Sequence, residues 1–227
     1  MLNIQGETYT KNEFLSIRYK YSFTLLPKGL VNKKFEQLDS EIMKKIAVDL
    51  KQWDFEHPLI VSILSNQNGI GKTHAAVCTF KNFLKYSILQ DFQRNIEYLN
   101  NNPHERIENL RLPDAEWISE RELLGKIQES FNTKYPEYSE QEILKKLCEK
   151  EFLVIDDIFG NRNNEFSKRI LLHILDERSE YQGNATLITS NLRIEEIASI
   201  DTRIASRLDN TMRFQIESHV KDYRKNF

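Results

Sequence analysis

The chain has 227 residues, 40% of them hydrophobic and 29% charged, with a formal net charge of -2. That balance excludes a disordered polymer and leaves one large domain, or one domain with a small appendage. It also excludes a global field for nucleic acid, so any such contact must come from a local basic patch. The two cysteines, Cys78 and Cys148, fall in amphipathic helical patterns without a CxxC partner, which predicts reduced, structural thiols in a reducing compartment. Five scattered histidines without an HExxH pattern argue against a zinc site. No apolar run approaches the roughly 18 residues of a membrane span, and Met1 to Thr10 is too polar for a signal peptide, so a cytoplasmic protein is expected.

In chain order, residues 1 to about 25 lack a clear amphipathic period. Tyr19, Tyr21, Phe23 and Leu25 alternate weakly, as in a short strand or an adhesive arm. Leu26-Pro27-Lys28-Gly29 is a turn signal. A helix capped near Asp39 or Ser40 places Ile42, Ile46, Leu50 and Trp53 on one side and ends at His57-Pro58. Leu59 to Leu64 reads as a buried strand, Ser65 to Gly71 as a polar glycine loop, and the next segment as a helix with Ala76, Phe80, Phe83 and Leu84 inward. Residues 97–113 read as an Asn-rich loop.

Ala115 to Ile118 follows as a strand, then a helix with Leu123, Leu124, Ile127 and Phe131 on its face. Ser139 and Glu142 form a capping-box pattern ahead of a helix that turns Ile143 and Leu147 inward. Phe152 to Ile155 is a second buried strand, Phe166, Ile170, Leu171 and Ile174 a long helix face, and Thr186 to Ile188 a third buried strand. Ile204 and Leu208 mark a last helix, and Met212, Phe214 and Ile216 an alternating strand. Strands alternate with helices, so an α/β fold with a mostly parallel sheet is expected.

Chemistry concentrates in four places. Asn66-Gln67-Asn68-Gly69-Ile70-Gly71-Lys72-Thr73 fits GxxxxGK[ST] except at its first position. In such a loop Gly69 and Gly71 let backbone N–H groups turn toward phosphate oxygens. Lys72 supplies a charge at the β- and γ-phosphates, and the Thr73 hydroxyl can ligate Mg²⁺. Candidate nucleotide contacts are Asn68, Gly69, Ile70, Gly71, Lys72, Thr73 and His74. Asn66 tolerates the left-handed backbone that the usual glycine would adopt. The strand Phe152 to Ile155 ends in Asp156 and Asp157. Asp156 is the candidate metal ligand with Thr73, and Asp157 the candidate for orienting or deprotonating the attacking water. A strand ending in a solvated acidic turn is the plainer alternative, weakened by the glycine loop upstream. Asn191, with Thr189, stands at a third strand end where it can hydrogen-bond a γ-phosphate. Finally, Arg203 and Arg207 lie four apart on one helical face. Either can face a neighbouring subunit's γ-phosphate, or pair with Asp201 or Asp209.

This order of motifs resembles the DnaC/DnaI helicase loaders and the related IstB transposition ATPases, a branch of the AAA+ proteins. The likeness runs from Leu26 to Arg224. LPKGLVNKKFEQLD resembles the lead-in to that domain, NQNGIGKT its phosphate loop and FLVIDDIFG its acidic strand. ILDERSEYQGNATLITSNL resembles the stretch ending at the sensor Asn191. RIASRL resembles the arginine-finger motif, which maps Arg207 to the finger and Arg203 to its neighbour; DYR makes Arg224 a second sensor. The resemblance implies a three-layer P-loop fold with strand order 5-1-4-3-2, and a division into an N-terminal arm (1–25, a candidate partner contact) and an AAA+ ATPase domain (26–227). It also implies binding of ATP and Mg²⁺, ATP-dependent homo-oligomers completed by an arginine in trans, and a hexameric replicative helicase and single-stranded DNA as partners.

The alternatives from the same residues are an IstB-like regulator on duplex DNA, a monomeric P-loop kinase and a nucleotide-binding scaffold that does not turn over. A kinase is disfavoured because segment 159–164 offers only Arg162 as a lid cation. Lys126, Lys145, Lys146 and Lys150 are read as a solvated basic face rather than a DNA surface. Arg178 is read as a salt-bridge partner or a DNA contact, and Phe35 as a guess for adenine.

Overall fold

The computed structural model describes residues 2–4, 7–38, 40–55, 60–102, 112–132, 135, 138–160, 164–180, 184–209 and 212–216. A short hairpin, β1 (Leu2–Ile4) and β2 (Glu7–Tyr9), leads into helix α1 (Lys11–Ser22). Helix α2 (Glu41–Gln52) precedes β3 (Ile60–Leu64) and the 30-residue helix α3 (Lys72–Asn101). Then come β4 (Ala115–Ser119), α4 (Glu120–Ser130), α5 (Glu140–Cys148), β5 (Phe152–Ile158) and α6 (Glu165–Glu180). The chain continues through β6 (Ala185–Ser190), α7 (Ile194–Ile200), α8 (Thr202–Asp209) and β7 (Met212–Gln215).

The main sheet has the order β4-β5-β6-β3-β7, and every pairing in it is parallel. Numbered from β3 as first strand, this is 5-1-4-3-2, the expected order. A strand's period of two sends alternate residues to opposite faces. Val61 and Ile63 of β3, with Phe152 and Val154 of β5, join α2 and α3 in one core. Ile60, Leu64, Leu153 and Ile155 join α4 to α8 in the other. The result is three layers, and the strands are apolar throughout because both faces are covered. Phe152 anchors the first core, with ring centroids 4.8 Å from Phe83 and 5.6 Å from Trp53.

Several local expectations change. Residues 11–22 are helix rather than strand or arm. Thr10 and Glu13 form a capping box, and the buried Phe14 packs with Ile88 and Phe92 of α3. Helix α3 runs through Tyr98 to Asn101, so the start of the predicted loop is helix, and residues 103–111 lie outside the described residues. Helix α2 is capped by Ser40 as expected but ends at Gln52, and His57-Pro58 lies outside the described residues. Ser139 caps α5 by accepting from the Glu142 amide, the forward half of the expected box. Phe131, expected on a buried face, is 60% exposed, and helix α7 was not expected. Both cysteines are buried and free, and burial pushes each thiol up to about 11, which leaves them inert.

Arg178 is buried too deeply for the DNA contact considered from sequence, and among the described residues it forms no ion pair with a carboxylate. Only 2% exposed, it donates to the carbonyls of Leu147, Cys148, Lys150 and Ala185 and to the Thr186 hydroxyl. Those acceptors are the orphaned C-terminus of α5, the turn into β5 and the start of β6. One planar fork therefore ties α6 to two strands, at the cost of a desolvation that lowers its pKa to about 10. Replacing it by methionine would remove a donor from each of these carbonyls, of which Cys148 O keeps Asn184 Nδ2 and Leu147 O keeps the Lys150 amide. Arg178→Met is expected to lower stability by about 3 kcal/mol or more, and Arg178→Lys to recover only part of it. Urea unfolding midpoints with unchanged slope check this.

Candidate functional site

The C-terminal ends of β3, β5 and β6 open into one cleft of about 830 Å³. Its walls include Asn68 to His74, Asp156, Asp157, Thr189 and Asn191. Residues Asn68, Gly69, Ile70, Gly71, Lys72, Thr73 and His74, proposed from sequence, all line it.

The loop between β3 and α3 turns on two left-handed glycines, Gly69 (φ 75°) and Gly71 (φ 104°). A Cβ on Gly71 would stand 3.0 Å from Leu38 Cδ2, so both the backbone conformation and the space call for glycine there. Asn66 is not among the residues with positive φ, so replacing the usual glycine costs no left-handed strain. The loop's start is pinned by Ser65, whose amide donates to Ser190 O at 3.2 Å and whose hydroxyl accepts from the Gln67 amide at 3.1 Å. Helix α3 begins at Lys72, so its free N-terminal amides and positive dipole end face the cleft. The Lys72 ammonium is buried and donates to Ser65 O (3.2 Å) and Gln67 O (2.7 Å).

Asp156 is held from two sides. The Thr73 hydroxyl donates to its carboxylate at 3.0 and 3.2 Å, and Thr189 donates at 2.6 Å. The same Thr189 oxygen accepts from the Asp157 amide at 2.9 Å. Asn191 Nδ2 donates to Asp157 Oδ1 at 2.5 Å. Burial raises the Asp156 pKa above the ordinary carboxylate range. The two hydroxyl bonds and Lys72 oppose that rise, and the charge of Asp157 adds to it. Beyond Asp156 the strand bulges out of register with β6, and Asp157 (φ 60°) and Phe159 (φ 59°) take left-handed conformations without being glycine. Strain of this kind costs about 1–3 kcal/mol per residue and persists where surroundings over-determine it. Here Thr189 holds the Asp157 amide, and the Ser190 hydroxyl donates to Ile158 O at 2.9 Å.

Cleft walls that sequence reasoning missed come from the lead-in segment: Gly29, Leu30, Asn32, Lys33, Gln37 and Leu38. The turn signal at Pro27-Lys28-Gly29 marked the place but not the side chains. Phe35, named from sequence for adenine, is instead a core residue under Lys51 and does not line the cleft. Lys81 donates to Val31 O and Lys33 O, and His74 Nε2 sits 2.7 Å from Lys34 O, so α3 carries the segment.

Arg203 and Arg207 do not line this cleft. They lie on α8, Arg203 bidentate to Asp201 and Arg207 bonded to Asp176 and to Arg203 O, rather than to Asp209. Arg224 lies outside the described residues. Of the basic-face lysines, Lys126 pairs with Glu116, Lys145 with Glu149 and Lys150 with Asp114. Among the described residues no group of three or more His, Cys, Asp or Glu is arranged to hold a metal, and no helix is long and apolar enough to cross a membrane. The donor set that fits a hard cation is the smaller Thr73–Asp156 pair, which leaves positions for phosphate and water oxygens.

No protein-family model and no curated protein matches the sequence. Solved structures do match. Domain III of the replication initiation protein DnaA from Thermotoga maritima aligns with 17% identity and TM-score 0.58, over 82% of this chain and 67% of that one. The DnaC helicase loader aligns with 16% identity and TM-score 0.59, over 84% of this chain and all of that one. AMPPCP-bound DnaA from Aquifex aeolicus aligns with 14% identity and TM-score 0.56, over 87% of this chain and about half (53%) of that one. Strand order, layers and these matches agree that the chain has the AAA+ fold of the DnaA and DnaC domains.

Proposed function

We propose that the protein is a Mg-ATP-binding AAA+ ATPase of the helicase-loader type, acting in DNA replication in the cytoplasm. The observation that carries this is the convergence in one cleft of Lys72, the Thr73–Asp156 pair and the Asn191–Asp157 pair. The AMPPCP held by the similar DnaA supports a triphosphate as the occupant. The likeness to the whole DnaC chain supports a loader rather than an initiator role, with a hexameric helicase and single-stranded DNA as partners.

In this reading Lys72 exchanges its two carbonyl acceptors for phosphate oxygens, a stronger charge-assisted bond. Loop amides from Gly69 to Thr73 cradle the phosphates, and residues 29–38 wall the base. Thr73 and Asp156 would hold Mg²⁺, which would neutralise charge on the phosphates. Asp157 orients the lytic water and takes its proton as the new bond to γ-phosphorus forms and the bond to the ADP oxygen breaks. Asn191 donates to the γ-phosphate. Arg207 or Arg203 acts on the γ-phosphate of a neighbouring subunit in a homo-oligomer, and Arg224 is a further candidate sensor.

A second reading, a scaffold that binds nucleotide without turnover, is favoured by the pairing of both α8 arginines within their own chain. An IstB-like role on duplex DNA differs from the loader role in its DNA footprint. Binding to a hexameric helicase and to short single strands is the outcome that supports the loader; preference for long duplex overturns it.

Lys72→Ala is expected to abolish the stabilisation by Mg-ATP, which for wild type at one hundred times Kd is about 2.7 kcal/mol in thermal shift. Asp157→Asn is expected to keep that stabilisation and lose about 100-fold or more in kcat, measured with DNA and partner present. A wild type that binds but never hydrolyses supports the scaffold.

Arginine action in trans has its own signature. Arg207→Ala and Asp157→Asn are each expected to be inactive. A one-to-one mixture should recover about a quarter of wild-type turnover, because that share of interfaces joins an intact Asp157 to an intact Arg207. No recovery on mixing, with oligomers formed, removes the trans role.

The charge on Asp156 is unfavourable in the metal-free protein. Its folded pKa is raised, so stability falls as pH climbs from the unfolded value through the folded one. Asp156→Asn avoids that loss. In metal-free buffer at neutral pH the variant is expected to be more stable by about 1 kcal/mol, an advantage that vanishes on acidification as the wild-type carboxyl protonates. Calorimetric melting from neutral to acid pH measures it.

A further inference from the structure

Glu120 is the first residue of α4 and only 4% exposed. A carboxyl at the start of a helix ordinarily caps it or meets the dipole at the surface. That task is already filled here: Ser119 and Glu122 form the capping box of α4. The Glu120 carboxylate turns inward instead. It accepts from the hydroxyl of Ser167, itself 2% exposed on α6, and the nearby backbone amides of Gly160 and Phe159 act to lower its pKa. Phe159 and Gly160 form the turn that follows Asp157. The turn folds back so closely that a Cβ on Gly160 would lie 3.4 Å from both Asp157 O and Asp157 Oδ2.

The left-handed backbone of Asp157 and Phe159 needs an external hold at both ends. Thr189 provides one at the Asp157 amide. The other end has Glu120. Ser119, next to it in the chain, pairs in register with Asp156, so β4 delivers Glu120 directly beside the acidic strand end.

We propose that Glu120 is a positioning residue for hydrolysis at this site, holding the Asp157 carboxylate in place through the amides of Phe159 and Gly160, with Ser167 fixing its rotamer. The inference rests on the reading of Asp157 as the carboxylate that orients water. Burial raises the Glu120 pKa and the Asp157 charge adds to the rise, while the Ser167 hydroxyl and the two turn amides oppose it, so the site keeps a costly group beside the acidic turn.

Three variants of the full chain test it, read by nucleotide affinity, kcat and site-resolved amide exchange. Glu120→Ala is expected to lower kcat about tenfold or more, with affinity for a fluorescent ATP analogue within about threefold of wild type, because misplacing a group near the reacting atoms acts on the transition state. Glu120→Gln retains an oxygen acceptor and can donate to Ser167, and should restore kcat to within about threefold of wild type. Ser167→Ala should fall between them. Exchange of the Phe159 and Gly160 amides should rise about tenfold or more in Glu120→Ala, with the β5 core amides unchanged. Wild-type kcat in Glu120→Ala, or kcat, affinity and core protection falling together without rescue by Gln, overturns the proposal. A wild type that binds ATP without hydrolysis overturns the reading of Asp157 and the catalytic role with it, while unchanged exchange at Phe159 and Gly160 overturns the hold itself. The two failures are therefore separable.

Discussion

The Asp156 carboxylate is the knot of this structure. It accepts from Thr73 in the first turn of α3 and from Thr189 at the end of β6. The strand order explains the second bond. β3 and β5, which carry the glycine loop and the acidic pair, are not neighbours; β6 lies between them. Thr73 reaches across to Asp156 directly, and Thr189 of the intervening strand completes the link with one oxygen that donates to Asp156 and accepts from the Asp157 amide. A buried carboxylate is tolerated there because its lone pairs are met by hydroxyls and the lysine lies near enough to oppose the desolvation.

Local patterns carried much of this in the sequence. The strands were visible as short apolar runs because both faces of a parallel sheet are covered, and the glycine loop because its chemistry is contiguous. What failed was non-local or weakly patterned. Helix α1 buries only Phe14, Arg18 and Ser22, a narrow stripe with two polar members, so the alternating Tyr19, Tyr21, Phe23 and Leu25 dominated the reading. The end of α3 carries Asn and Tyr, which lower helix propensity without breaking the helix. Arg178 looked like a surface arginine because a sequence does not display the carbonyl ends that meet it. Glu120 was invisible for the same reason, since its hydroxyl partner Ser167 lies 47 residues downstream. The lead-in segment 29–38 was legible as a turn but not as a wall of the cleft.

Helix α6 deserves its length for a physical reason. Ser167 near its start reaches Glu120, Asp176 holds Arg207 of α8, and Arg178 clamps α5, β5 and β6. One helix therefore reaches Glu120, the arginine helix and the far end of the sheet. Sixteen residues at about 1.5 Å each span roughly 24 Å. Spatial continuity of this kind is not itself coupling. It does mean that a displacement of α8 which released Arg207 from Asp176 would act on the same helix that braces Glu120.

The cleft is also self-satisfied. Lys72 bonds two loop carbonyls, Thr73 bonds Asp156, Asn191 bonds Asp157, and Arg207 bonds Asp176. Each group that would meet a triphosphate, a cation or a neighbour already has a partner in its own chain. Binding is then an exchange of hydrogen bonds, and its free energy is the difference between the partners gained and those given up. Neutral carbonyls are weak competitors for Lys72, so phosphate displaces them readily. Asp176 is a charged competitor for Arg207, so a trans contact gains least there. Under the proposed reading that asymmetry would order the steps: nucleotide would enter the cleft of a single chain first, and the arginine would follow only where an assembled interface supplied the remainder.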